Sequence, residues 1–277
     1  MPNPSTGQLL RRLAAAFITS FVALTIIFLA RFAAGQLPGL QERGAPTGAM
    51  ADAVLFALPF IAALTIPMAV LVAVLWVFTR LGSAGRLPVA GDEHARVRQL
   101  LLPVLCASAG IAAVSLVLNT TVLPRANAQL SGVLAGSPSL PSDRTMTMGE
   151  LRAAARSARA EATSGGLARA VAYEVEIQKK YALAAACVAL ALLGGVLALR
   201  FPRGGIALVA AASLAVFGGY YVCVVAGEAL ADRLLLSPFA AMWMANALLV
   251  ALALLVARAH WWPGTPRGAG SLAVGGS

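Results

Sequence analysis

Charged residues are scarce in this chain, making up 12% of its 277 residues, about half the share usual in a soluble domain. Two histidines and three cysteines are the whole supply of metal-binding nitrogen and sulfur. His94 falls in a short polar loop and His260 just past the last apolar run, while Cys106, Cys187 and Cys223 each lie inside an apolar stretch. No second Cys or His stands at ligand spacing, which argues against both a disulfide framework and a zinc site. The cysteines read as small buried hydrophobes. Also missing are a pair of intramembrane carboxylates, a Ser/His or Cys/His arrangement, and the Gly-x-x-x-x-Gly-Lys-Ser/Thr loop that cradles nucleotide phosphates. Those absences exclude catalysis by the usual nucleophiles and ATP hydrolysis by this chain, and no cofactor is expected.

Six long runs without any charge are what the sequence has instead: Leu13–Ala30, Ala53–Thr79, Gln99–Pro124, Tyr181–Leu199, Gly204–Gly227 and Leu234–Ala257. Each reaches the length needed to cross a hydrocarbon core as a helix, about 20 residues. A chain of this size cannot hide six helices that are apolar all round. The excess of 21 Lys+Arg over 11 Asp+Glu would suggest nucleic acid in a soluble protein. Here the basic residues flank the apolar runs, where they reach anionic headgroups, so no nucleic-acid partner is expected. The first run exceeds the apolar core of a signal peptide and has no small-residue cleavage site before Arg31, so it reads as a retained helix.

Between the third and fourth runs lies a polar middle segment. Gly132–Asp143 is loop-like, with Pro138 and Pro141. Thr147-Met148-Gly149-Glu150 fits a capping box, predicting a helix to about Ala162 that Gly165-Gly166 ends. A second helix is expected from near Leu167 straight into the fourth run. The Gly/Pro-rich stretches Gly35–Ala51 and Gly82–Gly91 are expected as loops. Orientation follows the basic residues. With the N-terminus inside, ten arginines flank the inner ends against Arg31, Arg43 and Arg233 in the short outer loops; the middle segment adds eight outer basic residues. The bias towards an inner N-terminus is small.

Several motifs occur in a fixed order: Leu58-Pro59, Ile66 to Leu71 and Thr79-Arg80-Leu81; Asn119 and Val122 to Asn127; Met146 to Leu151; Glu176 to Leu183; Ala191 to Gly194; Tyr220-Tyr221; and Ser237 to Asn246. Together they resemble the LptF/LptG (YjgP/YjgQ) permeases of lipopolysaccharide export. The likeness covers nearly the whole chain and is strongest from Met146 to Asn246. The resemblance implies a second LptF/LptG-like permease as partner and a cytoplasmic P-loop ATPase dimer beneath the pair. It also implies lipopolysaccharide or a similar anionic lipid entering through lateral gates between the first and fifth helices. Three features depart from the family. Its periplasmic β-jellyroll belongs between the third helix and Met146, where 128–145 leaves only 18 residues. The segment 82–98, where the family has an acidic coupling helix, carries Pro88 and no residue that aligns with the family's Glu. Ala245 stands where proline is usual.

The expected fold is an all-α polytopic membrane protein with six transmembrane helices in two groups of three and a short extramembrane helical hairpin between them. The expected divisions are 1–127, the outer segment 128–180, 181–262, and a disordered cytoplasmic tail 263–277, in the inner membrane with both termini cytoplasmic. The expected function is that of an ABC-type lipid exporter permease forming half of a lateral-gate cavity; the alternative is a non-transporting scaffold or regulatory partner with the permease fold. Candidate gate residues are Arg31, Lys179, Lys180, Tyr220 and Tyr221. Arg31 reads as a bidentate phosphate ligand or as a headgroup anchor. Lys179 and Lys180 are lipid contacts or flanking anchors, with Glu176 one turn before Lys180. Tyr220-Tyr221 line a cavity or pack, the preceding Gly218-Gly219 permitting close helix approach. Asp92, Glu93, Arg96 and Arg98 are candidates for ATPase coupling or form a solvated loop. Trp243 and Asn246 share a face of the last run, where an intramembrane Asn bonds a neighbouring helix.

Overall fold

The computed structural model describes residues 6–85, 93–136, 142–202 and 204–261. The expectations for the tail 263–277, for Pro88 and for Asp92 lie outside these residues. Among the described residues there is no strand; the elements are α1 (Thr6–Glu42), α2 (Thr47–Ser83), α3 (Glu93–Val117), a π turn (Leu118–Val122), α4 (Leu123–Ala135), a 3-10 turn (Asp143–Thr145), α5 (Met148–Ala160), α6 (Ser164–Arg200), α7 (Gly205–Asp232) and α8 (Pro238–Trp261). Six helical segments are long and apolar enough to cross a membrane, α3, the π turn and α4 together making one. The chain is an all-α polytopic membrane protein.

Three helices, α1, α2 and α6, have 37 residues each. At about 1.5 Å per residue such a helix is about 55 Å long, against about 30 Å of hydrocarbon. They therefore project well beyond any bilayer. This corrects the loop expected over Gly35–Ala51: α1 runs to Glu42 through Pro38 and α2 begins at Thr47. Proline removes one backbone bond, and near a helix end water can replace it. The side chain of Arg43, just past α1, reaches across to donate to the Leu134 carbonyl at the end of α4, at 2.9 Å.

The centre of the molecule is α2 against α6, elements from opposite sides of the middle segment. Val70, Leu71, Ala73, Val74, Leu75 and Phe78 of α2 meet Ala186, Cys187, Leu190, Ala191 and Leu193 of α6 in one buried cluster. Lipid tails are as apolar as leucine, so the driving force here is close packing, and the alanines of α6 let the backbones approach. By contrast, α1 and α7 are peripheral. Ile18, Ile26 and Ile27 on α1, and Leu214, Val222 and Val225 on α7, are exposed.

The middle segment folds as α5 docked on the first turns of α6. Thr147 caps α5, its hydroxyl accepting the Glu150 N–H at 3.4 Å while Glu150 Oε2 accepts the Thr147 N–H at 2.7 Å. Leu151, Ala155 and Ala158 form the buried face. Gly165-Gly166 do not end α5, contrary to the expectation. Ala162 takes the left-handed turn at φ 50°, and the Thr163 hydroxyl caps α6 by accepting the Gly166 N–H at 3.0 Å. Gly166 is needed for space, since a Cβ there would sit 2.5 Å from the Ala158 carbonyl oxygen.

Candidate functional site

On the side of the molecule that carries α5, the helix ends enclose a cavity of about 480 Å³. Its apolar walls are Phe28 of α1, Phe60, Ala63, Leu64 and Pro67 of α2, and Phe217, Val224 and Val225 of α7. Its polar lining is Asn119 on the π turn, Asn127 of α4, Arg144 of the 3-10 turn, Glu176, Lys179 and Lys180 of α6, and Tyr220, Tyr221 and Glu228 of α7. Pro67 has no N–H to offer the Ala63 carbonyl one turn back, and both residues line the cavity.

The charges form a chain of contacts. Glu176 lies 3.4 Å from Lys179 and 3.3 Å from Lys180, and Lys179 donates to Glu228 across to α7 at 2.8 Å. Lys180 is 2% exposed and Glu176 7%, so this is a buried cluster whose ions depend on one another for compensation. The Lys180 ammonium is within ion-pair range of Glu176 but not aligned as a hydrogen-bond donor, and it has no other protein acceptor. Three cations (Arg144, Lys179, Lys180) face two carboxylates (Glu176, Glu228), a formal balance of 3 − 2 = +1.

Two neutral groups in the same lining have no hydrogen-bond partner among the described residues. The Tyr220 hydroxyl is one, on a residue 4% exposed; the Asn119 amide is the other, with neither its oxygen nor its nitrogen bonded and the residue fully buried. The π turn that carries Asn119 interrupts the regular bonding of the third span. The hydroxyls of Thr120 and Thr121 fold back to donate to the Leu116 and Val117 carbonyls at 2.8 and 2.7 Å. Such single π turns inside α-helices recur at functional sites.

The structure brings together four of the residues singled out from the sequence. Lys179, Lys180, Tyr220 and Tyr221 all line the cavity. The adjacent tyrosines divide the work: Tyr220 points inward, whereas Tyr221 is half-exposed at the mouth beside Val225. Lys180 is buried, 2% exposed, whereas Lys179 is partly buried. Gly218 and Gly219 have open space around their missing side chains; the close approach in α7 is at Gly227, where a Cβ would collide with the Ala241 backbone of α8. Arg31 stands apart from the cavity, exposed, with its guanidinium folded over Gly35 of its own helix. Glu93 opens α3 and Arg98 is exposed on its early turns; Asp92 and the side chains of Glu93 and Arg96 lie outside the described residues. Trp243 donates to Gln178 at 3.1 Å and Asn246 to the Ala182 carbonyl at 2.8 Å, both pinning α8 to α6. Glu228 and the cavity role of Asn119 and Arg144 were missed from the sequence. An amide side chain inside a charge-free run was the available signal for Asn119.

Two more open hollows lie elsewhere on the described residues. One of about 750 Å³ runs between α1 and α2 at the opposite end, with Arg12 and Arg80 at its rim and the Arg80 guanidinium 4.6 Å over the Trp76 ring. The other, about 540 Å³, lies between the π turn and α5, where Arg152 donates to the Tyr181 hydroxyl at 3.1 Å.

No curated protein matches the chain. The sequence profile of the family described as lipopolysaccharide export system permease LptF/LptG matches residues 8–139 and 135–259, two stretches that meet between α4 and the 3-10 turn. Six apolar spans and a match covering nearly all of the described residues agree on one assignment: the chain belongs to the LptF/LptG family of lipopolysaccharide export permeases, multi-pass proteins of the inner membrane.

Proposed function

We propose that this protein is one permease subunit of an ATP-driven exporter of an anionic glycolipid, lipopolysaccharide or a close relative, and that the cavity between α1 and α7 is where the lipid is held. The observation that carries this reading is the lining itself. One buried and one partly buried lysine and two tyrosines stand beside phenylalanines from three helices, which suits a molecule with a charged, hydroxylated head and apolar chains. The mouth lies where α1 and α7 expose apolar faces, so a lipid enters sideways without leaving the bilayer. On this reading a second LptF/LptG-like permease covers those same faces and completes the chamber.

Energy comes from a separate cytoplasmic P-loop ATPase dimer. Its dock on this chain is the segment between α2 and α3 with Asp92, Glu93, Arg96 and Arg98, and on this reading both termini are cytoplasmic. Only six residues, 136–141, separate α4 from Ser142, too few for a β-jellyroll, so the partner permease supplies the periplasmic acceptor. The test is a photo-reactive amino acid at Tyr221, at the mouth, compared with Leu214, which is exposed on α7 away from the cavity. Lipid cross-links at 221 and not at 214, in cells with an active ATPase, are the expected outcome. Equal labelling at both would show only contact with bulk lipid.

A further inference from the structure

Away from the cavity, α1 and α2 leave a hollow of about 750 Å³ between them. On one stripe of α1, Leu9 and Leu13 are buried in the core and Phe17 and Phe21 pack against it. The adjoining stripe is small. Ala15, Ala16, Thr19 and Ala23 line the hollow from α1, with Val72 and Trp76 from α2, and these short side chains leave a trough that the chain does not fill. Two guanidiniums complete the lining. Arg12 comes directly before the charge-free run Leu13–Ala30 and Arg80 directly after Ala53–Thr79, so both sit at the edge of the hydrocarbon, the depth of lipid phosphates. Arg80 is held 4.6 Å over the Trp76 ring one turn back, which fixes it beside the trough. No Asp or Glu lines the hollow, and among the described residues neither guanidinium pairs with a carboxylate.

These features together select an amphiphile. A free phosphate would meet the guanidiniums and leave the apolar trough empty. A bare hydrocarbon chain would leave two cations uncompensated. A zwitterionic head brings a positive group towards two arginines, whereas an anionic phosphodiester brings only acceptors, which suit guanidinium donors. We propose that the hollow between α1 and α2 binds one anionic phospholipid, its phosphodiester between Arg12 and Arg80 and one acyl chain along the trough. The bound lipid fills the gap beside the Leu9 and Leu13 contact and fastens the otherwise peripheral α1 to α2. The hollow shares no lining residue with the cavity, so this site goes beyond the proposed function and stands independently of it.

The experiment uses the full-length protein in detergent and three probes: palmitoyl-oleoyl phosphatidylglycerol, phosphatidylcholine with the same chains, and glycerol phosphate, a head without chains. Native mass spectrometry counts bound molecules and gives dissociation constants. Wild type should hold one phosphatidylglycerol about ten-fold or more tighter than either other probe, the scale of one charge-assisted hydrogen bond. Arg12→Gln and Arg80→Gln should each lose about ten-fold for phosphatidylglycerol. Arg11→Gln removes the same charge one residue away, outside the lining, and should bind as wild type does. Thr19→Phe keeps both guanidiniums but fills the trough, so it should weaken phosphatidylglycerol as well. All four positions are exposed, so melting without lipid should stay at the wild-type temperature. Added phosphatidylglycerol should raise that temperature in wild type and Arg11→Gln only. Equal loss in Arg11→Gln would mean general attraction by net charge and overturns the site. Equal affinity for phosphatidylcholine or glycerol phosphate, or unchanged binding by Thr19→Phe, overturns it too. A photo-reactive residue at position 19 in intact cells should label lipid; labelling of a protein instead would assign the trough to a partner's helix.

Discussion

Asn246 and Thr147 show how little side-chain chemistry fixes this fold and how local it is. The Asn246 bond to the Ala182 carbonyl joins α8 to α6 in a region with few other polar links. Interhelical bonds of this kind contribute about 0.6–1.7 kcal/mol, so Asn246→Ala should lower stability by that amount, measured by steric-trap unfolding in bicelles. Thr147→Ala removes the α5 cap and should cost about 1 kcal/mol, with faster amide exchange at Met148–Leu151, whereas Ser157→Ala on the same helix should change neither. The cap also has a pH signature. Hydrogen bonds from the Thr147 N–H and then its hydroxyl hold the Glu150 carboxyl below its ordinary 4.5. A depressed value means the bond is fully present above that pH and is lost as pH falls through the lowered value. Exchange at Met148–Leu151 should therefore be flat from neutral pH down to about 4.5 once intrinsic chemistry is divided out, and rise only below it. A rise near pH 6 would contradict the capping role of Glu150.

Helices were the readable part of this sequence, and their ends were not. A charge-free run must be apolar all round to lie in lipid, so each of the six appears directly in composition. The overhang of α1 does not: 31–42 carries charges and Pro38 and reads as a loop, whereas 167–180 of α6, free of breakers, reads as a helix running into the fourth run, as found. The same limit applies to the site. Lys179-Lys180 stand out as an adjacent pair at the start of a run, and Tyr220-Tyr221 as an adjacent pair inside one. Glu228 pairs with Lys179 from 49 positions away, and the cavity position of Asn119 depends on a π turn with no sequence signature of its own. Glycine repeats that: Gly218-Gly219 looked like the packing pair, while the backbone contact is made by Gly227 two turns on. Gly227→Leu should push α8 away from α7 and cost about 1–3 kcal/mol, whereas Gly218→Leu should be tolerated, as read by melting of the two variants in detergent.

At the scale of the whole molecule, two well-packed central helices, α2 and α6, support two peripheral ones, α1 and α7, with a polar cavity between the latter. Three crossings would place α5 on the side opposite the N-terminus, the periplasmic side under the proposed function. Labelling in intact cells should modify Ser142→Cys, an exposed residue beside the 3-10 turn, and leave Ser5→Cys protected; the reverse pattern would invert the topology and remove the proposed ATPase dock. On the proposed function the lipid is held by Lys179 and Lys180 of the cavity and not by the exposed Arg31 of α1. That claim is tested most directly by ATP-driven lipopolysaccharide release from proteoliposomes holding this chain, its partner permease and the ATPase at matched levels. Lys180→Gln should reduce release at least about ten-fold, since hydrogen-bonded charge contacts are worth about 1.5–3 kcal/mol, while Arg31→Gln stays near wild type. Normal release by Lys180→Gln, or loss confined to Arg31→Gln, would contradict the account.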